Sequence, residues 1–220
     1  MIDVGENLAR VRERIRRAAE RAGRAPAEVL LVGVSKSVDV ERIRRALAAG
    51  LPALGENRVQ EAREKIAALG RPVPWHMVGH LQTNKARDAV LLFDVIHSVD
   101  RLELARELHR RAAADRAAEV LVQVNLSGEP TKGGFAPGEL KGALEALAEL
   151  PGLRVRGLMT IPPPVERAEE AREWFRRLRE LRDEAGLEHL SMGMSDDFEV
   201  AVEEGATIVR VGTAIFGPRQ

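Results

Sequence analysis

The chain is 220 residues long, and its 34 basic and 34 acidic side chains cancel, so no net field draws in a polyanion. That balance, with five Phe, two Trp and no Tyr, argues against nucleic-acid binding. The longest apolar runs are about six residues, as in 29–34, against the roughly 20 that a bilayer-spanning helix needs, and no cysteine exists to form disulfides or thiolate metal sites.

The first residues lead straight into charged sequence with no apolar leader, so the reading is a cytoplasmic protein without membrane contact. Residues 4–22 carry Val4, Leu8, Val11, Ile15, Ala18, Ala19 and Ala22 at three- and four-residue intervals, which predicts an amphipathic helix. After Gly23 and Pro26 the period changes, and Glu28 to Lys36 reads as a strand buried on both faces, as in a parallel sheet. A helix follows over about 39–49. The unit then recurs. Strands at about 52–55, 75–79, 94–97, 119–125, 154–159, 188–192 and 207–211 alternate with helices near 57–69, 83–92, 101–116, 137–149, 166–185 and 196–204.

Eight strands in strict alternation with helices predict an α/β fold: a single (β/α)8 TIM barrel over residues 1–220 with an extra N-terminal helix. An open doubly wound sheet stays as the alternative. The chain stops too soon after the eighth strand for a full helix there, and the spare helix before the first strand is placed to cover that gap. The stretch 125–137, with Gly128, Pro130, Gly133 and Gly134, is too long for a minimal βα turn and reads equally as a mobile lid or a tolerated loop.

In a parallel barrel the working face lies at the C-terminal strand ends. Those ends hold Ser35 and Lys36, Glu56 and Asn57, His80 and Gln82, His97 and Ser98, Asn125, Met159 and Thr160, Ser191 to Ser195, and Gly212 and Thr213. Only five of the basic residues are lysine, at 36, 65, 85, 132 and 141, the other 29 being arginine. Lys36 continues the face of Val32 and Val34, and a lysine at an apolar barrel mouth is partly desolvated, which favours the neutral amine that Schiff-base formation needs. A strand-end lysine that simply reaches solvent satisfies the same pattern.

The loops after strands seven and eight are where barrels commonly hold a phosphate. Ser195 reads as an N-cap and Gly212-Thr213 as further backbone donors, with Asp196 and Asp197 opposing an anion unless they point away. Arg210, between Val209 and Val211, places a guanidinium in an apolar segment, where either a structural ion pair or a ligand accounts for it. His76, His97, His109 and His189 need no more than core or surface placement, and no metal-ligand spacing is present.

A lysine on the first strand and an anion cradle on the last two suit pyridoxal 5′-phosphate (PLP), and the motifs carry a specific resemblance. Val34-Ser-Lys36, Gly55-Glu-Asn57, the run from Trp75 to Lys85, Gly157-Leu-Met-Thr160, Ser191 to Asp197 and Arg210 to Gly217 resemble, in order, the pyridoxal phosphate homeostasis (YggS-like) family. The resemblance implies a barrel similar to the N-terminal domain of alanine racemase, with Lys36 as the Schiff-base lysine. It further implies that Ser195, Gly212 and Thr213 bind the phosphate, that Arg210 approaches the pyridine nitrogen, that Asn57, His80 and Met159 line the ring, and that Ser191 belongs to the cofactor site. Lys132 falls near a lysine proposed in relatives as a secondary or transfer site.

A guanidinium beside the ring nitrogen disfavours its protonation and weakens the ring as an electron sink. Racemases of this fold also draw a catalytic tyrosine from a second domain, and this sequence contains no tyrosine. The resemblance therefore implies a monomeric PLP carrier without substantial turnover, handing PLP to PLP-dependent apoenzymes. A one-domain PLP racemase or lyase is the alternative.

Overall fold

The first strand shows how a run of apolar residues builds a barrel. In β1 (Leu30–Val34), Val32 points inward to meet Ala53, Leu121, Met159 and Ile208, while Leu31 joins the larger cluster between strands and helices. Both faces are buried, so both must be apolar. The computed structural model describes residues 3–113, 115–129 and 131–218. Seven further strands follow: β2 (Ala53–Glu56), β3 (Trp75–Met77), β4 (Val95–Val99), β5 (Ala118–Gln123), β6 (Leu153–Met159), β7 (His189–Ser191) and β8 (Ile208–Val211). Each pairs in parallel with its sequence neighbour, and β8 returns to β1 from Leu30 opposite Ile208 to Gly33 opposite Val211. That pairing closes the barrel and excludes the open sheet.

The helices are α1 (Val4–Arg21), α2 (Val40–Ala48), α3 (Val59–Leu69), α4 (Ala86–Leu92), α5 (Leu102–Arg111), α6 (Leu140–Ala148), α7 (Arg172–Glu184), α8 (Phe198–Glu203) and α9 (Thr213–Phe216). Asp3 caps α1 by accepting the Glu6 N–H at 2.9 Å. As expected, α1 covers the gap left by the short α9. It packs on α2, α8 and α9, Asn7 Nδ2 donates to the Ile215 carbonyl at 3.0 Å, and the Arg14 guanidinium sits 4.5 Å over the Phe198 ring. Among the described residues no helix is long and apolar enough to cross a membrane.

Several boundaries move. The helices predicted over 83–92, 137–149 and 166–185 open with 3-10 turns, and the one over 101–116 stops at Arg111, where Ala112 turns to an extended ψ of 146°. The third strand ends at Met77 rather than 79, and Gly79 beyond it lies against the Asn57 backbone, where an added Cβ would sit 2.6 Å from Asn57 Cα. Gly157 is required for a similar reason: a Cβ there would come 2.0 Å from the His189 carbonyl oxygen, so only glycine lets β6 and β7 approach.

Candidate functional site

Lys36 stands two residues beyond Val34, and both side chains reach one cleft at the C-terminal strand ends. The cleft measures about 420 Å³, within the roughly 300–1,000 Å³ of small-molecule sites. Asn57 from the end of β2, Ser195 from the loop after β7, Arg210 from β8, and Gly212 and Thr213 from the turn into α9 line it as well. Six of the sequence-predicted residues thus converge. His80 does not share this cleft. It stands exposed over two neighbouring depressions that Asn57 borders, one of which Lys36 borders as well, with its Nδ1 3.0 Å from Asp100 Oδ2.

Met159 and Ser191 lie beneath the cleft rather than on its wall. Met159 is fully buried among the inward-facing residues of the barrel. Ser191 is fully buried and engaged with Arg210, whose NH1 donates to Ser191 Oγ at 2.7 Å while NH2 donates to the Thr160 carbonyl at 2.9 Å. Among the described residues Arg210 forms no carboxylate ion pair, so the structural ion pair considered from sequence is not what holds it. Burial brings its pKa down to about 10, with the charge of Asp197 opposing that drop.

A chain of hydrogen bonds continues inward from Ser191. His97 Nδ1 lies 2.8 Å from Ser191 Oγ, and His97 Nε2 lies 2.8 Å from His76 Nδ1. A guanidinium only donates, so Ser191 Oγ accepts from Arg210, and its own O–H is free to donate to His97. Where that O–H is donated to His97 Nδ1, His97 carries its proton on Nε2 and donates to His76. Burial keeps both rings neutral, lowering His76 to about 4 and His97 well below its ordinary value. These are core histidines, as read from sequence, but they form one connected chain that sequence spacing does not reveal.

On the opposite wall, Ser195 Oγ accepts from the N–H groups of Gly212 and Ala214, each at 3.3 Å. Two backbone donors therefore converge on one oxygen, which is the local geometry of an anion cradle. The expectation that Ser195 caps the following helix is corrected: Asp197 occupies the N-cap position of α8, and its Oδ1 accepts the Met194 N–H at 2.6 Å. The buried Asp197 is thereby turned to the backbone, its pKa raised by desolvation, and only the exposed Asp196 borders the cleft.

The loop after β5 is pinned. Asn125 Nδ2 donates to the carbonyls of Glu129 and Lys132 at 3.0 and 3.1 Å, and Phe135 N–H donates to Gln123 O at 2.9 Å. Lys132 Nζ lies 2.5 Å from Glu129 Oε2, and it borders the depression shared with Asn57 and His80 rather than the Lys36 cleft. Pro130 lies outside the described residues.

Sequence reasoning missed a buried group behind Lys36. Lys65 on α3 is 6% exposed, and its ammonium lies 2.7 Å from Glu56 Oε1, 2.7 Å from Glu61 Oε1 and 2.5 Å from the Ser35 carbonyl. Its only signal in the sequence is Glu61 and Lys65 at helical i, i+4 spacing, which ordinarily marks a solvated surface pair.

A larger cavity of about 1300 Å³ opens at the other end of the barrel, bordered by Arg12, His76, Asp94, Arg116, Glu119 and His189 among others. None of the rim residues borders it, and barrel chemistry sits at the C-terminal strand ends. Among the described residues no three His, Cys, Asp or Glu side chains are grouped to hold a metal ion.

The family described as alanine racemase, N-terminal domain, matches residues 7–220. The chain is 51% identical over 223 residues to the pyridoxal phosphate homeostasis protein of Aquifex aeolicus, covering 98% of each. It superposes on PipY of Synechococcus elongatus PCC7942 with a TM-score of 0.85, covering 97% of this chain and 100% of that one, at 42% identity to the structure without PLP and 40% to the one with PLP bound. An alanine racemase of Clostridium difficile 630 shares the fold at 20% identity and a TM-score of 0.71, covering 97% of this chain and 57% of that one.

Proposed function

The chain belongs to the pyridoxal phosphate homeostasis protein family, and from that premise we propose that it binds PLP in the Lys36 cleft, held as a Schiff base, without substantial turnover. The observation that carries this reading is one amine, one guanidinium and the Ser195, Gly212 and Thr213 turns around a single cleft, with the Gly212 and Ala214 N–H groups converging on Ser195 Oγ. The donor set fits: Lys36 meets an aldehyde, Gly212, Thr213 and Ser195 meet a phosphate, and Asn57 borders the space between them. Bound there, the cofactor supplies an electrophilic aldehyde on an electron-withdrawing ring.

Arg210 supports holding over turnover. A guanidinium keeps its protons and presents no acceptor, so it cannot stabilise a protonated pyridine as a carboxylate does. Its two bonds to Ser191 and Thr160 fix its plane. The same reading makes the protein a monomeric cytoplasmic carrier with PLP-dependent apoenzymes as recipients.

The test is spectroscopic. PLP added to the protein should raise a Schiff-base absorbance band, and borohydride reduction should leave a mass adduct on Lys36. A wild-type protein that stays colourless and unmodified overturns the proposal. Exchange of the Cα hydrogen of amino acids for deuterium at enzyme-like rates would favour the racemase or lyase reading instead.

A further inference from the structure

We propose that Lys65, Glu56 and Glu61 are positioning residues that grip the backbone on both sides of Lys36 and so aim its amine into the cleft. The inference rests on the reading of Lys36 as the Schiff-base lysine.

An ammonium has three N–H donors, and in Lys65 all three find oxygens: Ser35 O, Glu56 Oε1 and Glu61 Oε1. Each carboxylate holds a second part of the same segment. Glu56 Oε1 accepts the Ser35 hydroxyl at 2.6 Å, and Glu61 Oε1 accepts the Ser37 N–H at 2.6 Å. The carbonyl and hydroxyl of the residue before Lys36 and the N–H of the residue after it are therefore all held by one charged cluster.

Two further observations set this apart from an ion pair that merely packs a helix. Ser37 has φ of 59°, the left-handed region that a non-glycine residue occupies only where its surroundings impose it. The bond from its N–H to Glu61 supplies that constraint. Burying an ammonium and a carboxylate is also costly, and well-packed apolar residues would serve a barrel wall at least as well. Among the described residues the side-chain hydrogen bonds that the cluster makes to the rest of the chain fall on Ser35 and Ser37, beside Lys36, which is where a fixed backbone helps an amine meet an aldehyde carbon, forming the C=N bond as the carbonyl oxygen leaves as water.

Glu61 is the place to test this, because its side chain is partly exposed and its removal spares the core. Glu61→Gln keeps a carbonyl oxygen for Ser37 and Lys65, whereas Glu61→Ala removes it. The measurements are the equilibrium constant for Schiff-base formation with PLP and the affinity for pyridoxine 5′-phosphate, which carries an alcohol in place of the aldehyde and reports the cleft without condensation. Glu61→Ala should weaken Schiff-base formation about tenfold, with Glu61→Gln within about twofold of wild type and pyridoxine 5′-phosphate affinity changed by less than about twofold in both. Lys65→Met should act in the same direction as Glu61→Ala; if it fails to fold, the Glu61 pair decides. A Schiff-base constant in Glu61→Ala equal to wild type overturns the inference, as does a parallel loss of both ligands, which would mark general loosening. If wild type forms no Schiff base, the parent reading has failed instead.

Discussion

The two mouths of the barrel differ in how their charges are spent. At the N-terminal mouth the space is larger, but several of its charges are paired: Asp94 faces Arg71 at 2.8 Å and Arg116 at 3.5 Å, and Arg156 faces Glu188 at 2.6 Å. At the C-terminal mouth the space is smaller, yet Arg210 is held by a hydroxyl and a carbonyl with no carboxylate pair among the described residues, and Lys36 enters the cleft from a segment gripped at Ser35 and Ser37. Volume does not make a binding site. Uncompensated groups on a fixed backbone do, because the protein has already met the cost of orienting them.

The sharpest way to break the comparison is Lys36→Ala. It should abolish the Schiff-base band altogether, and a band that survives would move the chemistry elsewhere. Next in size is Arg210→Met, which removes two hydrogen bonds made inside the barrel and leaves Ser191 and Thr160 short of a donor. Urea unfolding should show a loss on the order of 2–4 kcal/mol, and an unchanged midpoint would mean that those bonds carry no net stability.

The histidine chain offers a third test, through pH. Burial lowers His76 from 6.5 to about 4 and also holds His97 well below its ordinary value, so between pH 6.5 and 4 the unfolded chain binds protons that the folded one refuses. Stability is therefore fully present above about 6.5 and falls as the pH drops toward 4, by on the order of 3 kcal/mol for His76 alone. The unfolding free energy measured from pH 7 to 4.5 checks this above the range where most carboxylates titrate. His76→Gln should flatten the slope, and an equally steep slope in that variant would assign it to other groups. The smallest effect belongs to the other mouth: Arg116→Ala should change stability by less than about 0.5 kcal/mol and leave PLP binding untouched, since its pair with Asp94 is exposed.

Much of the site was legible because strand ends are legible. Lys36, Asn57, Arg210, Gly212 and Thr213 each follow or sit within an apolar run whose end marks the rim, and a closed barrel gathers such ends in one place. Ser191 and Met159 also mark strand ends in the sequence, but they pair with each other, and Ser191 pairs with Ile208 two residues before Arg210, so both are buried below the cleft. Lys65 is not legible in the same way, since a helical Glu and Lys four apart ordinarily face water. Only the packing of α3 on β2 turns Lys65 inward, where it reaches the Ser35 carbonyl.

Alternation of apolar runs with amphipathic periods was enough, from sequence, to predict eight parallel strands and to place the lysine, since these patterns repeat between residues two to four apart. Closure through β1 and β8, the chain from Arg210 to His76, and the grip of Lys65 on Ser35 join residues from 19 to 178 positions apart, such as Ser191 and Arg210 or Leu30 and Ile208. Their contact depends on strand register and helix docking, and no local period encodes either.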